Sequence, residues 1–418
     1  MRIPILPSFS ETAVISTLFA NIATAQLKYS TWMASSIMSR SQGIMTGQGG
    51  SSELLQAGIT QRALTALAMQ YPDHNVSSAA QAYVHRSAAS VVPFTLNASY
   101  DALSYPLDRL STGNALLALY TPSDASTATF RPAADALRQS IDLNRRNPEG
   151  GLWYFTYPQW SYLDGMYSLA PFYTLYSVAA AAAASSSNDT SGSGGDVNVT
   201  AALDDMDFQL DLLWTHTRNA TTGLLAHGYD ASKTAVWADP QTGASPHVWG
   251  RSLGWYVIGL VETLDALPQS ACTVRDKILD RYRSLAGAIV EAVDPVTGGW
   301  WQVLDQPGKT GNYIESSGSA MFSYALLKGA RLGYLGGANE TLAAKATHVG
   351  VRGHAYLTQT FLVNEANGTL GYNGTVAVCS LNSTASYDYY VGQPINYNSV
   401  LGSAAYVLAS LEVEQLQI

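Results

Sequence analysis

Two carboxylates stand in short turns just ahead of apolar helical stripes. Asp164 lies in Tyr162-Leu163-Asp164-Gly165, before MYSLAPFYTLYS, and Asp108 lies in Tyr105-Pro106-Leu107-Asp108, before Thr112-Gly113-Asn114 and another apolar run. Trp249-Gly250-Arg251-Ser252-Leu253-Gly254-Trp255 and Glu315-Ser316-Ser317-Gly318 occupy the same kind of address. His227-Gly228-Tyr229-Asp230 and Trp237-Ala238-Asp239-Pro240 fall in a Gly-, Thr- and Pro-rich stretch upstream of Arg251. These residue types suit a carbohydrate: a carboxylic acid moves protons, Trp and Tyr faces hold a sugar ring, and Arg grips a sugar carboxylate through two parallel hydrogen bonds. Taken one at a time they have plainer readings. Asp164, Asp108 and Ser317 would serve as N-caps for orphan amides, and a single His is more often a satisfied core residue than a ligand. Their shared position ahead of helices argues for one common mouth.

The elements that must carry these turns read as helices. Val257, Leu260, Val261, Leu264 and Leu267 repeat at helical spacing, as do Phe322, Ala325, Leu326 and Leu332, and Leu401, Ala404, Ala405, Leu408 and Leu411, whereas strand alternation is nowhere sustained. Successive helices joined by Gly-rich turns (EGG at 149–151, TGG at 297–299) predict an all-α chain in which paired helices form a ring. The Ser/Gly-rich tract within 179–200 is expected to be a surface insertion near 185–200 rather than a boundary, because similar helices flank it. A single domain over 26–418 follows.

Composition narrows the class. Hydrophobic residues make up 47% and charged ones 13%, which supports a sizeable core and excludes disorder. The net charge of −9, with 22 scattered basic residues, leaves no stripe to track a phosphate backbone, so no nucleic-acid partner is expected. Tyr is abundant, 25 against 9 Phe and 9 Trp, and couples an apolar face to a polar edge that suits sugars. No apolar run is long enough to cross a membrane. Residues 1–25 are predicted to be a signal peptide, with a small, apolar stretch from Ala13 that follows Arg2 and ends in Ala23-Thr24-Ala25. Sequons at Asn75, Asn97, Asn188, Asn198, Asn219, Asn339, Asn367, Asn373 and Asn382 number nine, against roughly three expected by chance, and predict a secreted, N-glycosylated protein. Cys272 and Cys379 are either one disulfide or two free thiols. Zinc-ligand spacing, a nucleotide loop and a G-x-S-x-G elbow are all missing, so no metal or cofactor is expected and a serine hydrolase is disfavoured.

The longer motifs resemble the unsaturated rhamnogalacturonyl hydrolases, glycoside hydrolase family 105. The resemblance rests on YPQWSYLDGMY (157–167), HGYD (227–230), WADP (237–240), SPHVWGRSLGW (245–255), GGWWQVLDQP (298–307), YIESSGSAMFSYALLKGARLGYL (313–335) and the C-terminal YYVGQPINYNSVLGSAAYVLASLE, in the same order and spacing. It covers Tyr29 to the C-terminus. It implies an (α/α)6 barrel that removes a terminal 4,5-unsaturated uronic acid from oligosaccharides left by polysaccharide lyases. It further implies Asp164 as general acid and base, Asp108 as a second carboxylate near the sugar, His227 and Arg251 as uronate contacts, and Trp249, Trp255 and Tyr162 around the pocket. Two positions depart from the family. Relatives read Phe-Trp-His-Lys where this chain has Leu152-Trp153-Tyr154-Phe155, which removes a His contact, and Leu55 replaces an aromatic ahead of Gly58. Rival readings are an inverting glycosidase with Asp108 and Asp164 as its pair, and a secreted sugar-binding protein without turnover.

Overall fold

The computed structural model describes residues 28–156, 159–186, 199–336 and 340–416. In chain order the helices are α1 (Tyr29–Ser39), α2 (Glu53–Gln70), α3 (Asn75–Val91), α4 (Ala98–Ser104), α5 (Gly113–Leu119), α6 (Phe130–Asp142), α7 (Gly165–Ser186), α8 (Val199–Thr217), α9 (Gly250–Ala266), α10 (Cys272–Glu291), α11 (Ser316–Arg331), α12 (Glu340–Phe361), α13 (Tyr387–Val391) and α14 (Val400–Gln415). A 3-10 turn, Leu107–Thr112, leads into α5. The expected signal segment 1–25, the core of the Ser/Gly tract and the sequons at Asn188, Asn198 and Asn339 lie outside the described residues.

Packing order shows the architecture. Helix α2 packs on the Leu107–Thr112 turn, that turn on α7, α7 on α9, α9 on α11, α11 on α14, and α14 back on α2, which closes a six-membered inner ring. Helices α1, α3, α6, α8, α10 and α12 each back one or two members of that ring from outside. This alternation of inner and outer elements is the (α/α)6 barrel. The apolar stripes belong to inner helices, but burial there is all-round rather than one-sided: from Gly250 to Leu264 only Glu262 escapes full burial. The reason is geometric, since an inner helix meets the outer ring on one face, two inner neighbours on its flanks and the barrel centre on the fourth.

Strand content among the described residues is two short antiparallel pairs, β1 (Trp160–Tyr162) with β2 (Gly228–Asp230) and β3 (Leu362–Asn364) with β4 (Leu370–Tyr372). The β1–β2 pair matters most, because its register sets Tyr162 opposite Gly228. Gly228 is required there: a Cβ would lie 2.4 Å from the Ser161 carbonyl oxygen. The apolar interior divides accordingly into a main barrel core and a smaller cluster over the mouth that includes Tyr162, Trp237, Trp249, Val303, Val376, Cys379, Tyr387 and Tyr390.

Candidate active site

Asp108, Asp164, Trp249, Arg251 and Glu315 sit at or just before the N-terminus of an inner element, and His227 sits just before β2. The β1–β2 pairing continues one step past its strands, where the Leu163 amide donates to the His227 carbonyl at 3.0 Å, and this delivers His227 to Asp164. The Nε2 of His227 lies 3.1 Å from Asp164 Oδ2, at an angle too oblique for a hydrogen bond, so this buried atom has no partner among the described residues. Ser252, in the first turn of α9, donates a short hydrogen bond to the same Oδ2. Asp164 Oδ1 has no partner among the described residues. Among the described residues the carboxyl accepts from Ser252 and from no backbone amide, so it does not cap α7.

Asp108 is 2% exposed on the turn before α5, and Tyr154 donates to its Oδ2 at 2.8 Å while its buried Oδ1 has no partner among the described residues. Burial raises its pKa, the Tyr154 hydrogen bond opposes that, and Asp164 nearby raises it again, with the net result pushed up to about 7. Arg109, fully buried beside it, anchors the turn through Ser140, Asn144 and the Tyr105 and Pro106 carbonyls. Tyr154 itself stacks on Tyr162 with ring centroids 4.4 Å apart and an 11° interplanar angle. The residue that replaces the family His thus does not leave a gap. Its phenol, kept protonated by burial and by the neighbouring Asp108 carboxyl, takes up the second carboxylate.

Two of the expected substrate contacts are buried. Arg251 is 1% exposed; its Nη1 donates to the Val376 carbonyl at 2.6 Å and to Ser317, its Nη2 to the Ala377 carbonyl at 2.7 Å, and its plane covers Trp249 at 4.7 Å. Through these bonds Arg251 fixes a loop of the mouth at 376–377. Trp255 is also 1% exposed and packs on Tyr167 in the main core, centroids 4.9 Å apart, so it does not form an open wall. Trp249 stays at the mouth, 4.9 Å from His227, with its indole N–H on Gln302 Oε1 at 3.1 Å. Ser317 is not the cap of α11 either: Glu315 accepts from the Gly318 amide at 2.6 Å and from the Ser317 hydroxyl.

Sequence reasoning passed over Ser252 and Tyr390. Ser252 stood inside a quoted motif as a small polar residue in an apolar helix start, which was a usable signal. Tyr390, whose hydroxyl meets His227 Nδ1 at 2.8 Å, stood likewise inside the quoted YYVGQP motif. Cys272 is exposed and Cys379 buried, both as free thiols, and burial pushes Cys379 up to about 12, which makes it a poor nucleophile. No cluster able to hold a metal ion occurs among the described residues. No described helix is long and apolar enough to cross a membrane.

An (α/α)6 barrel with two buried carboxyls, a His and stacked aromatics at one mouth defines a glycoside hydrolase. The comparisons agree, for the family model described as Glycosyl Hydrolase Family 88 matches residues 31–417. The chain belongs to that family. A glycoside hydrolase from family 105 of C. acetobutylicum ATCC 824 superposes with a TM-score of 0.76 at 30% identity, covering 93% of this chain and 99% of the other. The unsaturated glucuronyl hydrolase of Bacillus sp. GL1, described as responsible for the degradation of glycosaminoglycan, shares the fold at 13% identity, with a TM-score of 0.61 over 93% of this chain and 95% of its own. By sequence, Protein Atu3128 of Agrobacterium fabrum (strain C58 / ATCC 33970) is 37% identical over 196 residues, 46% of this chain and 82% of that protein.

Proposed function

We propose that this hydrolase removes a terminal 4,5-unsaturated uronic acid from lyase-generated oligosaccharides, rhamnogalacturonan fragments first among them, by hydrating the double bond. The observation that carries this reading is the asymmetry of Asp164: Oδ2 is held by Ser252 beside His227, while Oδ1 is left to exchange a proton. In such a substrate C4=C5 is a vinyl ether conjugated with the carboxylate. Asp164 gives its proton to C4, positive charge develops at C5 and is shared with the ring oxygen, and the resulting carboxylate takes a proton from the water that adds at C5. The hemiketal so formed opens and releases the aglycone, and Asp164 is protonated again. One carboxyl serves both halves, with no covalent intermediate. Asp108, through its free Oδ1, orients a ring hydroxyl.

One observation favours the inverting-glycosidase reading instead. Asp108 pushed up to about 7 beside Asp164 is how the acid of a conventional acid–base pair is tuned. A panel of lyase-generated oligosaccharides and their saturated counterparts separates the readings: loss of the ultraviolet absorbance of the conjugated bond, on unsaturated substrates alone, is the expected result. Turnover of the saturated set, or binding with the absorbance unchanged, would overturn it.

Secretion and N-glycosylation belong to the same proposal. The described sequon asparagines, Asn75, Asn97, Asn219, Asn367, Asn373 and Asn382, are all exposed, and their side-chain amide nitrogens make no hydrogen bond to the described residues. By contrast the non-sequon Asn144, Asn147 and Asn312 donate theirs inward. Peptide mass spectrometry of the secreted protein, before and after enzymatic removal of N-glycans, tests this; unmodified asparagine at all six would contradict it.

A further inference from the structure

We propose that Tyr390 fixes the ring tautomer of His227, so that His227 presents Nε2–H to the Asp164 oxygen that does not carry the transferred proton. The inference rests on Asp164 being the acid, and it assigns the C-terminal YYVGQP motif a task in the reaction. The Tyr390 hydroxyl and His227 Nδ1 lie 2.8 Å apart and share one hydrogen bond, which runs from the phenol or from the ring. Both residues are 0% exposed, so no water can repair a wrong choice.

Three observations choose the direction. The Tyr390 hydroxyl has no acceptor among the described residues other than His227 Nδ1, so a proton on Nδ1 would leave the phenol's own hydrogen buried and unbonded. That tautomer would also leave a bare Nε2 3.1 Å from Asp164 Oδ2, one acceptor beside another. Burial, with Cys379 and Asp164 close by, holds the phenol far above its ordinary pKa, so it keeps the proton it donates. With Nδ1 bare and Nε2 protonated, the phenol's hydrogen is bonded and Nε2–H faces Asp164 Oδ2 obliquely, 3.1 Å away. In His-containing sites the bond made by one ring nitrogen decides what the other can do.

The lock is itself braced. Gln302 donates to the Tyr390 carbonyl at 3.2 Å and accepts from the Trp249 indole at 3.1 Å, which joins α13 to the indole packed against His227. Asp164 Oδ2 then faces two donors, the Ser252 hydroxyl and His227 Nε2–H. The latter is oblique in the free chain and tightens as charge grows on the carboxyl during proton transfer from Oδ1. Tyr390 touches no reacting atom; it is a positioning residue.

The test combines a spectrum with kinetics on the full chain. In protein labelled with nitrogen-15 histidine, two-bond proton–nitrogen correlations report which ring nitrogen bears the proton, and the His227 signals are identified by their loss in His227→Gln. Wild type should show Nε2 protonated and Nδ1 bare. Tyr390→Phe keeps the ring packed and removes the hydroxyl; it should give mixed tautomers and a kcat lower by about tenfold, the worth of one hydrogen bond, with KM within about twofold. A proton on Nδ1 in wild type, or a Tyr390→Phe protein with the wild-type spectrum and kcat, would overturn the lock. Should the variant not fold, the wild-type spectrum alone decides. An Nε2-protonated His227 in a protein inactive on unsaturated oligosaccharides would support the lock and sink the proposed reaction, so the two ideas fail separately.

Discussion

The barrel buries carboxyl groups at both ends and treats them in opposite ways. At the end away from the mouth, Glu262 accepts from Arg62 at 3.0 and 3.1 Å, from Lys328 at 3.0 Å and from Tyr324, and Arg331 grips Glu412 bidentately at 2.6 and 2.7 Å. Burial alone would raise the pKa of Glu262, but Arg62 and Lys328 hold it well below the ordinary carboxylate value. At the mouth, Asp108 has one phenol for a partner, an orphan Oδ1, and a pKa pushed up to about 7. A cleft of about 510 Å³ opens beside the paired end, so open volume does not mark the chemistry. The distinction is satisfaction: charges fully paired hold helices together, whereas polar atoms left incomplete in a buried site are available to a substrate.

The largest effect should come from breaking the paired end. Glu262→Gln leaves half-buried Arg62 without its counter-charge and Lys328 with Asp265 alone, and should cost about 3 kcal/mol in denaturant unfolding, with kcat of the surviving folded fraction unchanged. A loss below about 1 kcal/mol would mean the cluster is solvated and the contrast is false.

Next comes Asp164→Asn, which keeps shape but removes the proton. Turnover on an unsaturated oligosaccharide should fall at least about a hundredfold, with the unfolding midpoint held. Turnover like wild type would return Asp164 to the status of a scaffold residue.

Asp108 sharpens the contrast through pH. Its folded pKa is raised, the less common direction for a carboxyl, so its contribution to stability is fully present below the ordinary carboxyl value and is lost as pH rises through about 7. Asp108→Asn should flatten that loss. The variant should therefore be more resistant to heat than wild type at pH 8 and show no such advantage at pH 4, read as Tm against pH. Parallel Tm curves for the two proteins would show that Asp108 does not titrate in this window.

Arg251→Lys should have the smallest effect. Lysine keeps the charge but cannot span both carbonyls at 376 and 377, so about 1 kcal/mol of stability should go, with KM rising several-fold as that loop loosens. A variant with unchanged stability and a large fall in affinity for the uronate alone would restore Arg251 as a direct ligand.

Much of the fold was legible because inner helices announce themselves: Val257, Leu260, Val261 and Leu264 give the helical period of α9 directly. Their all-round burial was less visible, since a stripe predicts one buried face and only closure of the ring supplies the others. For the site, Asp164, Asp108, His227 and Trp249 could be read from motifs, each in a turn that precedes an inner element or pairs beside one. What stayed hidden were partnerships across the ring. Ser252 lies 88 positions from Asp164 and Tyr390 lies 163 from His227, and no local pattern encodes such a distance. The same holds for Arg251, whose spacing beside two Trp residues suggested a ligand grip, although its acceptors at 376 and 377 were out of sight. Arg62 and Glu262 meet over 200 positions, which is why the paired end left no trace in the sequence.

The central claim is that Asp164 drives hydration of a double bond and not displacement at the anomeric carbon, and isotope placement tests it most directly. In heavy-oxygen water, with early quenching to limit exchange, the label should enter the C5 carbonyl of the released uronic acid and be missing from its C1, and in deuterium oxide a deuteron should appear at C4. Label at C1, with no deuterium at C4 and the double bond still present in the first product, would contradict the account and make Asp108 and Asp164 a conventional acid–base pair.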